Sequence, residues 1–403
     1  MTVTASLGEA LDSRRGWLVV AATFLSSFVT LGIAYSFGAF FAEMATEFDA
    51  DRASTSVIFG ITTFAFFWLS LITGRLADRF GPRPVLCVGA VALFVGLMVT
   101  SRVQSLEAGY LTYGIGVGIA AATGYIPMVA VVGGWFDRHR ATAVGLAVAG
   151  IGAGTLVISP LSATLVDRYG WRDTYQILAV AGTAVLVVCV AMVKRPPQTG
   201  PSQPSRFAEA WASATFRRLQ LSALCSGLAL FVPFVFVGQY AQERGVSSLA
   251  AAILVGLLGG ASVLARIGFG TAVRAFGSLR LYRACFLLLS ASFVIWFFAG
   301  SSYTALIAFV LVLGIGYGGF VALSTVVLAE RLGVIGLGSI MGLFYTTQGV
   351  GGLVGPPVAG YLIDQFNSYR AVIAGCVVLT TLAWLLLRGL PMTPAGGIEP
   401  EID

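Results

Sequence analysis

Apolar residues run along this chain in twelve long blocks, and polar or charged residues gather in the short breaks between them. The blocks cover 17–42, 55–77, 84–101, 107–135, 141–166, 173–193, 216–240, 248–271, 280–299, 302–330, 336–363 and 370–388. Each is close to the roughly 20 residues that a helix rising about 1.5 Å per residue needs to cross about 30 Å of hydrocarbon. The pattern predicts an all-α integral membrane protein with twelve transmembrane helices. Residues 1–16 are polar, and the apolar stretch from Trp17 has no small-x-small cleavage site at its end, so the first helix is expected to remain in the mature protein.

Composition and charge agree with a membrane setting and orient the chain in it. Hydrophobic residues make up 57% and charged residues 10%, too apolar for one soluble core. With the N-terminus in the cytoplasm, 17 of the 24 Lys and Arg residues fall on the cytoplasmic side and 6 on the other. The positive-inside rule selects that topology, with both termini cytoplasmic in a cell (inner or plasma) membrane. The net charge of +6 then meets anionic headgroups of the lipid bilayer, and no nucleic-acid partner is needed to explain it. All five cysteines lie within predicted spans, so no disulfide is expected, and neither a metal site nor a cofactor is implied.

Internal repetition gives the architecture. Gly114-Ile115-Gly116-Val117-Gly118 recurs as Gly314-Ile315-Gly316-Tyr317-Gly318, and Gly152, Gly154, Pro160 and Asp167 recur as Gly349, Gly351, Pro357 and Asp364. Gly74, Phe80 and Gly81 correspond in the same way to Gly270, Phe276 and Gly277. The chain reads as two pseudo-symmetric six-helix bundles, 1–193 and 216–403, joined by a proline-rich polar cytoplasmic linker at 194–215. Parallel duplicated halves suit a transporter whose central site opens alternately to each side, and a single copy of the chain is expected to suffice.

One basic residue breaks the pattern. Arg266 lies about eight residues inside an apolar block, whereas the other basic residues fall in loops or near helix ends. A guanidinium near mid-membrane costs roughly 3 kcal/mol on insertion scales and stays protonated, so it is kept where it meets an anion or faces a water-filled cavity. Snorkelling to the interface is the alternative. Other polar groups at similar depth are Tyr35 in span 1, Thr123 and Tyr125 in span 4, Tyr317 in span 10, and Tyr345 with Gln348 in span 11. Their hydroxyls and amide could bond a carboxylate while rings cover its apolar tail, or they could simply tie helices together. Glu43, Glu330 and Asp364 stand near span ends as interfacial or gating charges, and His139, the only histidine, sits in a loop as a solvated group.

Several segments resemble known transporters. GRLADRFGPRP at 74–84 is similar to the loop between the second and third helices of the major facilitator superfamily. That resemblance implies a conformational latch of Gly74, Asp78, Arg79, Gly81 and Arg83, with Asp78 facing the positive end of a helix in the other half and the arginines meeting headgroups and locking partners. The second copy, GTAVRAFG at 270–277, has Arg274 in place of the acid. WFDRHRATAVGLAVAGIGAGTLVISP at 135–160, YGWR at 169–172 and the weaker RGW at 15–17 resemble the monocarboxylate and oxalate porter branch. In VLARIGFG at 263–270, Arg266 falls on that branch's substrate-pairing arginine, and the resemblance places Tyr317, Tyr345 and Gln348 toward the substrate. Ser262 stands where animal members usually carry an aspartate.

The resulting expectation is a carrier of small carboxylates coupled to protons. Carboxylate exchange of the oxalate–formate type and efflux of lipophilic compounds are the alternatives within transport. A membrane enzyme has little behind it, because no intramembrane His, Asp or Glu cluster offers acid–base or metal chemistry. A sensor or scaffold would lack a long soluble output domain.

Overall fold

A computed structural model describes residues 11–197, 207–333 and 337–391, and among these the regular structure is entirely helical. The spanning helices are α1 Arg14–Tyr35, α2 Arg52–Phe80, α3 Pro82–Thr100, α4 Leu106–Gly133, α5 and α6 within Arg140–Met192, α7 Ala214–Gln242, α8 Ser248–Phe276, α9 Ser278–Ala299, α10 Tyr303–Leu332, α11 Leu337–Phe366 and α12 Arg370–Arg388. Gly170, at φ +76°, separates α5 from α6, a backbone that glycine adopts without a Cβ clash. All twelve expected spans are therefore present, with ends shifted by a few residues.

Local signals explain the helix starts. Asp51 caps α2 by accepting from the Ser54 amide at 2.6 Å, and Ser247 caps α8 through the Ala250 amide at 3.4 Å. Positive φ occurs at Asp49 and Gly245, at Gly81 and Gly277, and at Gly170 and Asn367. Each pair keeps the spacing of the sequence repeat, so the duplication extends to the turns. One break carries a weaker signal. α4 is interrupted at Tyr125, where φ −120° and ψ −79° leave the helical region, and the next helical piece starts at Ile126 with Pro127 in its first turn.

Of the expected linker 194–215, residues 198–206 lie outside the described residues, and Phe207–Ala212 forms a short helix where open loop was expected. Two seams join the halves. α2 runs along α11, and α5 runs along α8. A Cβ added to Gly152 of α5 would collide with the Gly259 carbonyl of α8, so these helices touch backbone to backbone, as lipid-embedded helices do when small residues line the contact.

The two faces of the bundle differ. On the face opposite the linker, Arg52 of α2 bonds Asp364 of α11 at 2.6 Å, Ser248 of α8 donates to Asp167 of α5 at 2.8 Å, and Gly38 lies against the Phe234 carbonyl. Toward the linker face, a Cβ on Gly74, Gly145, Gly268 or Gly270 would meet no atom within 4 Å. The polar cross-half contacts between side chains among the described residues are thus gathered on the face opposite the linker.

Candidate functional site

Arg266 stands where the α5/α8 seam ends and the cleft begins. Its side chain is 8% exposed and reaches across to the other half, where Nη1 donates to the Val148 carbonyl of α5 at 2.9 Å. Cζ lies 5.7 Å from the centre of the Tyr317 ring on α10. Nε and Nη2 are buried and have no hydrogen-bond partner among the described residues. These two nitrogens share one edge of the guanidinium plane, so their N–H groups run parallel. Two oxygens of a carboxylate match that edge. Each buried donor left unpaired costs roughly 1–3 kcal/mol, so a ligand that satisfies both recovers a substantial stabilisation.

Tyrosines surround the cation. Tyr35, Tyr125 and Tyr345 all lie within electrostatic reach of Arg266, and Tyr317 lies within reach of each of those tyrosines. Tyr125 sits at the break in α4, half-buried and 6.1 Å from the Phe66 ring. Tyr345 stacks parallel on Phe67 of α2 at 6.1 Å, with its hydroxyl 3.5 Å from the Val321 carbonyl. Tyr35 packs 4.6 Å from Phe234 and 6.3 Å from Phe59. These contacts join α1, α2 and α7 into an aromatic roof that also includes Phe231, 6.1 Å from Phe59 and 6.3 Å from Phe234. The site thus combines one cation, phenolic hydroxyls and an apolar ceiling, which suits a small anion with a short hydrocarbon part.

Two expected members point elsewhere. Thr123 donates to the Ile119 and Ala120 carbonyls of its own helix and presses on Gly89 of α3, so it packs inside the first half. Gln348 is 1% exposed and donates from Nε2 to the Ala223 carbonyl at 2.8 Å, tying α11 to α7. Both replace a cleft-facing role by a helix-to-helix one. Ser262, four residues before Arg266, is fully buried and donates to the Gly259 carbonyl at 2.7 Å.

The tract 74–84 holds one half together in this state. Arg83 donates to the Val193 carbonyl at 2.7 Å and the Ala191 carbonyl at 3.1 Å, which caps the end of α6. Arg195 donates to the Arg79 carbonyl at 2.9 Å, and the Arg79 guanidinium lies over the Phe80 ring. Gly81 supplies the positive φ of the turn. Asp78 is exposed and its carboxylate has no hydrogen-bond partner among the described residues, so the expected contact with the other half is not made in this structure. His139 also differs from a freely solvated group: its Nδ1 lies 3.2 Å from Asp12, whose carboxylate accepts from the His139 and Arg138 amides and fastens the start of α1 to the start of α5.

Sequence reasoning missed the aromatic roof and Arg52. Phe59, Phe231 and Phe234 are indistinguishable from lipid-facing residues by hydropathy alone. Arg52 carried a usable signal, since Asp51-Arg52 occupies the same place at the start of α2 that Ser247-Ser248 occupies at the start of α8.

The family model described as Major Facilitator Superfamily matches residues 23–356 and 224–403. Monocarboxylate transporter 4 of Rattus norvegicus is 32% identical over 94% of this chain and 84% of its own length. Monocarboxylate transporter 13 of Bos taurus is 27% identical over 92% of the chain and 88% of its own length. Among solved structures, a crystal structure of a nucleoside transporter, NupG, superposes with a TM-score of 0.74 at 14% identity, over 93% of this chain and 98% of the other.

Proposed function

The chain belongs to the Major Facilitator Superfamily, whose members are transporters rather than enzymes, and on that premise we propose that it carries small monocarboxylates such as lactate- or pyruvate-like acids by alternating access. The observation behind this reading is the buried Arg266 edge with two unpaired parallel donors at the head of the cleft. A phosphate or a second charge would leave an uncompensated anion under the aromatic roof, whereas one carboxylate makes a neutral pair with Arg266. The names of the monocarboxylate transporters point the same way. The two-half architecture, 1–193 and 216–403 around the linker 194–215, supplies the rocking bodies. In the plasma-membrane topology chosen by charge, the linker face is cytoplasmic and a monomer is the working unit, with Asp78 engaging when that face closes.

Proton symport is part of the proposal. An acid with a pKa near 4 is about one part in a thousand neutral at pH 7, so the carrier handles the anion and the proton travels with the site it forms. A second reading, carboxylate exchange, draws on Ser262, which puts a hydroxyl bonded to its own helix where a titratable carboxylate would serve. Liposomes loaded with a pH dye separate the two. Under an inward acid gradient, symport acidifies the lumen as labelled monocarboxylate enters; exchange leaves lumen pH constant and requires a preloaded anion. If Arg266→Gln takes up the labelled acid at the wild-type rate, the carboxylate reading is wrong.

A further inference from the structure

The face opposite the linker carries a depression of about 330 Å³ between the halves, away from Arg266. The segment after α1 and the start of α2 form one wall, and the ends of α7 and α11 form the other. Asp51, Glu243 and Asp364 line it as acids, and Arg52 is the cation among its lining residues. Arg52 is spent on those acids. Its Nη1 bonds Asp364 Oδ1 at 2.6 Å, its amide bonds Asp364 Oδ2 at 3.0 Å, and its Nη2 bonds Glu243 Oε1 at 2.9 Å. Tyr369, just before α12, donates to the same Glu243 oxygen at 2.7 Å. These donors favour the charged carboxylates, and three carboxylates against one guanidinium leave the lining negative.

Acceptors are left over there and donors are not. Asp51 spends Oδ1 on the Ser54 amide, so its Oδ2 takes no hydrogen bond among the described residues, and neither does Glu243 Oε2. Gln239, one turn before Glu243 on α7, lines the same depression and is 7% exposed. Its Nε2 is enclosed without a partner, whereas its Oε1 is not enclosed and is left to the depression. Each buried polar group without a partner costs roughly 1–3 kcal/mol, so this amide suits a ligand better than a bare lining. Phe41, Ala42 and Ala45 add an apolar wall on the other half.

A metal ion does not fit these groups, because no three His, Cys, Asp or Glu side chains among the described residues stand close enough to hold one. A primary ammonium does fit. It is a cation with three N–H donors and no acceptor, and its carbon stem can lie on the apolar wall. We propose that the depression binds a primary organic ammonium with a short apolar stem, its donors shared among Glu243 Oε2, Asp51 Oδ2 and Gln239 Oε1. Bound there, it ties Asp51 of one half to Glu243 and Gln239 of the other, beside the Arg52 contacts. The site is separate from Arg266 and does not depend on the monocarboxylate reading.

Calorimetric titration of phenethylamine into purified protein in lipid nanodiscs, with empty nanodiscs subtracted, tests the assignment. Two controls divide its features: 2-phenylethanol keeps the stem without the charge, and the N,N,N-trimethyl derivative keeps the charge without N–H donors. The amine should bind saturably, and each control should bind at least about tenfold more weakly. Asp51→Asn keeps a capping oxygen for α2 and removes one charge, so it should weaken the amine about fivefold, as should Gln239→Leu by removing an acceptor. Arg266→Gln should bind the amine as wild type does, which separates this depression from the cleft. Absence of amine binding, a control that binds as tightly as the amine, unchanged affinity in both Asp51→Asn and Gln239→Leu, or loss of the amine in Arg266→Gln overturns the proposal.

Discussion

The two seams between the halves are built on one plan and carry different charges. A Cβ on Gly60 of α2 would come 3.1 Å from the Leu353 carbonyl of α11, and one on Gly256 of α8 would come 3.0 Å from the Leu156 carbonyl of α5. At the mouth, Arg52 meets Asp364 on the first seam and Ser248 meets Asp167 on the second. Deeper in, the order reverses. α8 carries Arg266, while the matching place on α2 is Ser70, whose hydroxyl bonds the Phe66 carbonyl of its own helix. Duplication supplied the frame, and one guanidinium on each seam, at different depths, divides the work. The first holds the mouth shut and the second faces the cleft. A cation at the mouth is one-third exposed and bonded to carboxylates already present; a cation at the cleft is buried with two of its donors unpaired among the described residues.

The comparison breaks most visibly at two close approaches of unequal tightness, Gly152 and Gly60. Gly152→Ala forces a methyl onto the α8 backbone, where nothing can swing aside, and should lower stability by about 1–3 kcal/mol. Gly60→Ala on the other seam needs a shift of only a few tenths of an ångström and should cost under about 1 kcal/mol. Thermal unfolding of the two purified proteins in one detergent checks the difference. Equal shifts would show that both seams have the same tolerance.

Ser248→Arg gives the second seam the mouth chemistry of the first. A guanidinium facing Asp167 should favour the state closed on that face by up to about 1 kcal/mol, the value of a partly exposed ion pair. Uptake should slow roughly threefold to fivefold, with affinity measured from the linker side unchanged or tighter. Faster uptake would mean that mouth contacts do not set the closed population.

Smaller effects distinguish the cleft from its scaffold. Tyr317→Phe removes a hydroxyl near Arg266 and should weaken monocarboxylate binding about fivefold, the worth of roughly 1 kcal/mol. Thr123→Val, between α3 and α4, should leave affinity within about twofold. Competition against a labelled acid measures both, and a larger loss at Thr123 than at Tyr317 would reverse their assignment.

Hydropathy and the repeat made the helices and their pairing legible, because membrane length and duplicated turns leave marks at fixed spacing. The Gly81 and Gly277 turns are a plain example. Arg266 was legible because an isolated buried cation has few uses. The direction of a polar side chain was not. Thr123 and Tyr125 are two residues apart on α4, yet one packs on α3 and the other stands near Arg266, and the helix break at Tyr125 makes that difference. Capping also slips between the halves. Arg83 of α3 caps α6, whereas the end of α12 is capped by Arg283 of α9, which donates to the Leu387, Arg388 and Leu390 carbonyls from one turn beyond the position the repeat predicts. Asp78 is legible as a latch only in a state with the linker face closed.

Calorimetric titration of a short monocarboxylate and of its primary amide into wild type, Arg266→Lys and Arg266→Gln tests the central claim most directly. The acid should bind wild type, lose roughly 10- to 100-fold in Arg266→Lys, where the parallel donors are gone, and show no detectable binding to Arg266→Gln. The amide, which cannot offer two anionic oxygens, should bind none of the three. Acid binding to Arg266→Gln within threefold of wild type would contradict the account.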